Sequence, residues 1–162
     1  MVQASLLLRP AVDADAGLAQ ALYASTRDDL RQLPLPPAQV EQLIAMQQRV
    51  HEAGQRAVYP HAEVMILEHA GAPAGRVVLD TTGSDWRLVE LAVLPALRGR
   101  GLGAALLAAL QARARAHGAS IGLAVLRTNL PALRLYQRAG FRIAGGNALQ
   151  HQMTWSANMG AA

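Results

Sequence analysis

The segment Arg98-Gly99-Arg100-Gly101-Leu102-Gly103 constrains the fold of this chain more than any other part of it. It follows an apolar run, Trp86 to Pro95, that predicts a strand closed by proline, and it precedes an Ala- and Leu-rich helix predicted over Ala104 to His117. Backbone N–H groups at a helix start lack intrahelical partners, and that end of the helix dipole is positive. Glycines also let the backbone approach a ligand closely. The segment therefore predicts a site for a phosphate-bearing ligand near residues 98–104.

Composition predicts a single domain over residues 1–162 with one hydrophobic core, because 52% of the residues are hydrophobic and 16% are charged. No uninterrupted apolar run reaches about eighteen residues, so no membrane span is expected. The N-terminal segment lacks the basic start and the long apolar region of a signal peptide. The sequence has no cysteine, which excludes disulfides, thiolate catalysis and cysteine metal sites, and a cytoplasmic location is the simplest interpretation.

The net charge of +4 does not predict a nucleic-acid partner. All 15 basic residues are arginines, but they are scattered along the chain, and aromatic residues for base stacking make up only 4% of the sequence. An anionic cofactor explains a modest positive excess equally well. The 5 histidines have no metal-ligand spacing, so each is interpreted as a surface residue and no metal is expected.

Strands and helices are predicted in the order β-α-α-β-β-β-α-β-α-β-β. The first strand is expected at residues 2–9, and the first helix runs from a cap at Asp13 or Asp15 to about Asp28. A second helix is expected over Ala38 to Glu52, after a proline-rich interruption. The other predicted features are strands at Glu63–His69, Gly75–Asp80, Ser120–Leu126, Phe141–Ala144 and Ala148–Trp155, a turn at Gly145-Gly146, a short helix from Asn129 to Gly140, and fraying of residues 157–162. Strands in runs and strands alternating with helices indicate an α/β fold with a mixed sheet.

Two motifs stand on either side of the predicted strand Ser120–Leu126. Arg98 to Gly103 fits the pattern Arg/Gln-x-x-Gly-x-Gly/Ala, and Asn129 to Phe141 fits the pattern Asn-x-x-Ala-x-x-x-Tyr-x-x-x-Gly-Phe. In these motifs, and in the order of its elements over residues 2–155, the chain resembles the GNAT superfamily of N-acetyltransferases. The resemblance implies a GNAT-like fold: a mixed, mainly antiparallel central sheet with a splayed parallel strand pair, flanked by helices.

The resemblance also implies that acetyl-CoA is the co-substrate and that the glycine-rich loop binds its pyrophosphate. Backbone N–H groups of Arg100 to Ala104 would form the cradle, and Arg98 would add charge-assisted hydrogen bonds. The pantetheine arm would lie between the splayed strands and pair with the backbone at Leu91 and Val93. Asn129 either contacts the pantetheine or caps the following helix. The implied cofactor-binding residues are Leu91, Ala92, Val93, Arg98, Gly99, Arg100, Gly101, Leu102, Gly103, Ala104, Asn129, Ala132 and Tyr136.

Tyr136 resembles the general acid of the family, which protonates the leaving CoA thiolate. A phenol with a pKa of about 10 can donate a proton to a thiolate whose conjugate acid has a pKa of about 8.5. The alternative is a tyrosine that packs its ring on the core and keeps its hydroxyl in water.

Glu90 is the candidate catalytic base, because it is the last acidic residue of the chain and lies in the strand implied to line the acetyl site. Strand alternation places its side chain on the same face as Leu88 and Ala92, unless a bulge intervenes. Glu90 would take the amine proton through a water molecule or bind the ammonium first. The alternative is a charge that pairs across the sheet with Arg76 or Arg87.

The acceptor pocket is implied to lie between the first two helices and the last hairpin. Arg27 and Arg31 would hold a carboxylate there and Asp28 would attract an ammonium, or the three would form a solvated helix end. With no cysteine to carry an acyl group, the expected reaction is direct attack on acetyl-CoA by a primary amine of a small molecule or peptide. The alternative is an acyl-CoA-binding sensor or partner domain without turnover. The edge strands permit a homodimer but do not require one.

Overall fold

The computed structural model describes residues 5–159. The strands within this range are β1 (Leu6–Pro10), β2 (Glu63–His69), β3 (Ala72–Asp80), β4 (Asp85–Val93), β5 (Ser120–Leu126), β6 (Arg142–Gly146) and β7 (Gln150–Trp155). The helices are α1 (Ala16–Ala24), α2 (Asp28–Arg31), α3 (Pro37–Val58), α4 (Leu102–Ala116) and α5 (Leu130–Arg138), with 3₁₀ turns at Asp13–Asp15 and Pro95–Leu97. Residues 2–4 of the predicted first strand, and residues 160–162 of the segment predicted to fray, lie outside the described residues.

The strands form one sheet in the order β1-β2-β3-β4-β5-β7-β6. Neighbouring strands are antiparallel except β4 and β5, which are parallel. A parallel pair requires a crossover connection, and α4 supplies it. This arrangement confirms the predicted fold class, a mixed and mainly antiparallel sheet flanked by helices.

Helices cover both faces of the sheet. On one face, α4 packs against the strands through apolar residues spaced three or four apart, as an amphipathic helix should. The residues that α4 buries in this main core are Leu102, Leu106, Leu107, Leu110 and Ala114. Since burial of each leucine side chain contributes about 1.5–3 kcal/mol, the main core fixes the helix that starts at the glycine-rich loop. On the opposite face α1 packs on β3, and a smaller cluster of Leu30, Val40 and Ile44 joins α2 to α3.

The first predicted helix is interrupted. It ends as α1 at Ala24, and a separate short helix, α2, begins at Asp28. The hydroxyls of Ser25 and Thr26 each donate a hydrogen bond of 2.7 Å to a backbone carbonyl oxygen three residues earlier. Such local side-chain bonds compete with the continuation of a helix, which explains the break.

The second predicted helix is longer than expected. α3 extends to Val58, six residues past the predicted end at Glu52, because the single Gly54 does not stop a helix and Pro60 lies beyond its end. The added turns carry further side chains over the sheet.

The last hairpin also differs from the prediction. Gly145 and Gly146 do not form the turn; they are the last residues of β6 and pair with β7. The turn lies at residues 147–149, where Oδ1 of Asn147 accepts hydrogen bonds of 2.8 Å from two following backbone N–H groups. An asparagine that bonds its own backbone in this way is a strong turn former.

The parallel strands β4 and β5 are paired over only three residues each. Asp85–Arg87 of β4 pairs with Ser120–Gly122 of β5. Beyond this point β4 continues beside β3 to Val93, and β5 continues beside β7 to Leu126. The two strands therefore splay apart, as the resemblance implied, and leave a gap in the middle of the sheet.

A β-bulge in β4 corrects the predicted orientation of Glu90. Val78 of β3 pairs with Glu90, but the next residue of β3 pairs with Leu88, so Val89 has no partner. A bulge of this kind reverses the alternation of faces along the strand. Leu88 faces the main core, whereas Glu90 faces the other side, together with Ala92. The prediction that Glu90 shares a face with Leu88 is therefore wrong, and the prediction for Ala92 is right.

Candidate active site

Two cavities meet where β4 and β5 diverge. One, of about 870 Å³, runs along the glycine-rich loop and the start of α4. The other, of about 400 Å³, lies on the side of α1 and α3. The residues that line both cavities are Leu91, Asn129, Ala132 and Tyr136. These four side chains mark the point where a ligand in the larger cavity would reach the smaller one.

The larger cavity brings together most of the predicted cofactor-binding residues. They are Leu91, Val93, Arg98, Gly99, Gly101, Leu102, Gly103, Ala104, Asn129, Ala132 and Tyr136. Ala92 lines the smaller cavity instead, because it faces the other side of the sheet. Arg100 is exposed and is not part of the lining of either cavity.

The glycine-rich loop leads from the 3₁₀ turn Pro95–Leu97 into α4. Gly99 and Gly101 have φ of +76° and +80°, in the left-handed region that residues with a side chain adopt at a cost. The first turn of α4, Leu102–Ala104, lines the larger cavity. Because the N–H groups of a first helical turn have no partners within the helix, this end of the cavity is suited to bind an anion.

Arg98 ties the loop to the end of β4. Its Nε donates a hydrogen bond of 3.0 Å to the carbonyl oxygen of Val93. The guanidinium consequently stands between the end of the splayed strand and the glycine-rich loop, at one end of the larger cavity.

The gap beside β4 exposes strand backbone to the cavities. In the described chain, β4 forms no ladder pair with β5 beyond Arg87, although Leu91 and Val93 line the larger cavity. Backbone N–H and C=O groups away from water need partners. An extended ligand lying in the gap would provide them.

Asn129 has the capping role that the sequence analysis left open. Its Oδ1 accepts a hydrogen bond of 3.3 Å from the backbone N–H of Ala132, at the start of α5. The same residue lines both cavities. Its side chain therefore fixes the helix that carries Tyr136 toward the junction.

Tyr136 is the buried polar residue at the junction of the two cavities. Only 8% of the residue is exposed, and its ring packs edge to face on Phe141 with the ring centroids 5.7 Å apart. Burial raises the pKa of Tyr136 from 10.0 to about 12, because the ionised phenolate would be poorly solvated there. The hydroxyl therefore keeps its proton over the whole physiological pH range.

Glu90 lies in the smaller cavity and is held by neighbouring side chains. Nη1 of Arg76 bonds Oε2 of Glu90 across the sheet, and Nε2 of Gln55 donates to Oε1 at 3.3 Å. Arg87, the other predicted partner, instead donates to Oε1 of Gln152 at 3.0 Å. The carboxylate thus forms the ion pair with Arg76 that the sequence analysis gave as its alternative, and it also lines the cavity.

Sequence reasoning missed His51 and Glu52, two of the side chains that α3 contributes to the smaller cavity. His51, interpreted as an ordinary surface residue, lines this cavity beside Glu90. Nε2 of His51 lies 3.4 Å from Oε1 of Glu90. No local pattern reveals that contact, because it joins residues 39 positions apart in sequence.

The three predicted acceptor residues are not part of the lining of either cavity. Arg27 pairs with Asp29 at 3.1 Å, and Arg31 pairs with Glu41 at 3.0 Å. Asp28 is exposed at the start of α2. Their role toward an acceptor stays a prediction; Asp28 and Arg31 are exposed, whereas Arg27 is part-buried and also donates to Tyr23 and Gln47.

Between residues 5 and 159, no group of three or more His, Asp or Glu side chains is arranged to hold a metal ion. No helix in that range combines the length and the apolar character needed to cross a bilayer.

Comparison with known proteins identifies the family. Solved structures with the same fold include PaiA N-acetyltransferase from Thermoplasma acidophilum in complex with coenzyme A (TM-score 0.70, 16% identity, 94% of this chain and 99% of that chain). They also include YncA from Salmonella typhimurium with its cofactor acetyl-CoA (TM-score 0.58, 19% identity, 97% of this chain and 96% of that chain). A third is the ribosomal-protein-S18-alanine N-acetyltransferase from Escherichia coli (TM-score 0.64, 19% identity, 94% of this chain and 94% of that chain). Among curated protein sequences, none matches the chain.

At such low identities the structural likeness concerns the fold alone. The sequence profile of the Acetyltransferase (GNAT) family, however, matches residues 20–141, which include the glycine-rich loop, the splayed strands and Tyr136. The chain therefore belongs to the GNAT acetyltransferase family.

Proposed function

We propose that this protein transfers the acetyl group of acetyl-CoA to a primary amine of a small molecule or peptide. The observation that carries the proposal is the position of Tyr136, where a cavity along an anion-binding loop joins a second cavity on the other face of the sheet. A donor in the larger cavity and an acceptor in the smaller one would meet at this hydroxyl.

Acetyl-CoA would lie in the larger cavity. Its pyrophosphate would accept hydrogen bonds from the backbone of the glycine-rich loop and the first turn of α4, with Arg98 close by. The pantetheine arm would pair with β4 at Leu91 and Val93, where β5 has diverged. The thioester would then reach Ala132 and Tyr136 at the junction.

In the reaction, the amine nitrogen attacks the thioester carbon, a C–N bond forms and the C–S bond breaks. The Tyr136 hydroxyl donates its proton to the departing thiolate, which a phenol with a pKa of about 12 does only as the thiolate charge develops beside it. A backbone N–H of β4, at Leu91 or Val93, would polarise the thioester carbonyl. Glu90 acts on the acceptor side, since it lines the smaller cavity.

Two measurements test the proposal. Calorimetric titration should show binding of acetyl-CoA, and saturating acetyl-CoA should raise the melting temperature, because a ligand of the native state stabilises it. A panel of aliphatic amines, amino acids and short peptides with free N-termini or lysine side chains should then include acceptors that release free CoA thiol.

The outcomes separate the candidate functions. Absence of acetyl-CoA binding would contradict the proposed donor. Binding without thiol release from any member of the panel would favour the alternative, an acyl-CoA-binding sensor or partner domain.

A further inference from the structure

His51 connects the inside of the smaller cavity with solvent. The imidazole comes from α3, its side chain is 45% exposed, and that of Glu90 beside it is 23% exposed. Both contacts of the ring within hydrogen-bonding distance in the described chain involve Nε2, at 3.4 Å from Oε1 of Glu90 and 3.2 Å from Nε2 of Gln55. The ring of Tyr23, from α1, supports the imidazole with the centroids 5.5 Å apart.

The Glu90 carboxylate is fixed by donors other than the imidazole. Arg76 bonds one of its oxygens, and Gln55 donates to the other. Arg76 itself is mostly buried, with a side chain 12% exposed, so the carboxylate is anchored from the sheet. A carboxylate held in this way is well placed to orient a neighbouring imidazole.

We propose that His51 is the base that removes the proton from the acceptor amine, and that Glu90 is a positioning residue that orients the imidazole. This proposal rests on the proposed acetyl transfer and assigns the acceptor side of that reaction. It departs from the expectation that Glu90 is itself the base.

The acceptor ammonium group loses two protons during the transfer. The neutral imidazole of His51 takes one proton of the ammonium group on a ring nitrogen and becomes an imidazolium beside the Glu90 carboxylate. The neutral amine attacks acetyl-CoA, loses its second proton as the amide forms, and Tyr136 protonates the thiolate and regains a proton from the amide nitrogen through water. The proton on His51 leaves to solvent, so each turnover releases one proton with the amide and free CoA.

The charged and titratable groups around the imidazole come from four elements. Glu90 on β4 lies beside the imidazole, and Arg76 on β3 bonds the same carboxylate. On α3 itself, Glu52 is the adjacent acid that lines the cavity. On the side of α1, Tyr23 carries a hydroxyl that accepts a hydrogen bond of 3.0 Å from Arg27.

The first test is the pH dependence of kcat/KM for the best acceptor of the amine panel. Loss of a general base costs about 10²-fold or more, so His51→Gln should lower kcat/KM by that factor and remove the decline at acid pH, where an imidazole is protonated. Glu90→Gln should keep the decline but move it to lower pH, because the imidazolium loses its anionic partner. Arg76→Gln should move it to higher pH, because an opposing cation is removed.

The second test does not depend on turnover. The ring resonances of His51, assigned by their absence from the His51→Gln spectrum, are titrated by NMR in the native protein and in the Glu90→Gln and Arg76→Gln variants. The midpoint should fall in the first variant and rise in the second. His61, exposed and outside the lining of both cavities, gives the matched control: His61→Gln should leave kcat/KM and the profile unchanged.

Three results would overturn the assignment. If kcat/KM of His51→Gln still declines at acid pH, another group is the base. If that decline disappears in Glu90→Gln, Glu90 is the base. An unchanged NMR midpoint in both partner variants shows that the carboxylate does not act on the imidazole. If no amine in the panel releases thiol, the proposed acetyl transfer is contradicted, and so is the role of His51 as its base. Shifted NMR midpoints would in that case still show that Glu90 acts on His51.

Discussion

Gly99 and Gly101 adopt the same left-handed backbone conformation on either side of Arg100, with φ of +76° and +80°. This pair of turns directs the chain from the end of β4 into the first turn of α4. A residue with a side chain adopts this conformation at a cost of about 1–2 kcal/mol, so the backbone requires glycine here. Crowding is not the reason, because a Cβ at either position would meet no atom within 4 Å.

Gly101→Ala should destabilise the protein by about 1 kcal/mol and weaken acetyl-CoA binding, because the strained loop shifts the N–H groups of the first turn. Gly118→Ala is the matched control, since Gly118 has φ of +65° at the other end of α4 and is not part of the cavity lining. It should lose similar stability and keep its affinity. Urea unfolding and calorimetry measure the two effects; equal affinities in both variants would contradict the loop as an anion site.

Ala132→Leu should weaken acetyl-CoA binding by about tenfold or more. Ala132 is half-buried, packs against the main core and lines both cavities, so three added carbons would obstruct their junction. Ala112→Leu, on the exposed side of α4, is the control with the same change in volume and should bind normally. Undiminished binding by Ala132→Leu would show that the ligand does not pass this junction.

Tyr136→Phe should lower kcat by about 10²-fold and leave the dissociation constant of acetyl-CoA nearly unchanged, because only the donated proton is lost. The ring keeps its contact with Phe141. Tyr59→Phe, at the end of α3 and outside the lining of both cavities, should have normal activity. An unaltered kcat in Tyr136→Phe would exclude the acid role.

The raised pKa of Tyr136 also predicts an alkaline loss of stability. The pKa is about 12 in the folded protein against 10.0 ordinarily, so the unfolded chain ionises first as the pH rises. The contribution to the free energy of unfolding is fully present below pH 10 and is lost between about pH 10 and 12. Urea unfolding should show a smaller decline in Tyr136→Phe over this interval than in the native protein, and equal declines would argue against burial of this hydroxyl.

The lowered pKa of Asp15 predicts that the free energy of unfolding falls as the pH becomes acid. Hydrogen bonds from Arg9, at 2.8 and 2.9 Å, are the main cause that lowers the pKa of Asp15 from 3.8 to about 2, with the backbone N–H of Val12 adding to it. The stabilisation is present above pH 4 and disappears as the pH falls toward 2.

Asp15→Asn should therefore be less stable than the native protein at pH 7, with a lower urea midpoint, and this difference should shrink at pH 2–3. Asp13→Asn changes an exposed carboxylate of the same 3₁₀ turn and should have little effect at either pH. A difference that stays constant down to pH 2 would show that the ion pair is not its source.

Local signals were sufficient for much of the fold. The predicted limits of β2 and β5 agree with the structure, because glycine, proline and asparagine bound these apolar runs closely. Asn129 and the proline after it likewise marked the start of α5. The arrangement of these elements, including the splayed pair, followed from the resemblance carried by two motifs.

The features that the sequence concealed are those that depend on partners distant along the chain. The bulge at Val89 is a matter of register against β3, and an apolar run such as Leu88 to Val93 contains no residue that marks it. The contact of His51 with Glu90 joins residues 39 positions apart, so it depends on how α3 packs on the sheet. Side-chain chemistry can be read locally, but the pairing of side chains from separate elements cannot.

The three-residue seam between β4 and β5 has a mechanical consequence. In the sheet, β1–β4 and β5–β7 pair only at that seam, and α4 with the main core holds the two parts together on one face. A ligand that hydrogen-bonds along the open edge would act as a temporary strand between the two parts. Amide hydrogen exchange in residues 88–93 and 123–126 should then slow together when acetyl-CoA binds.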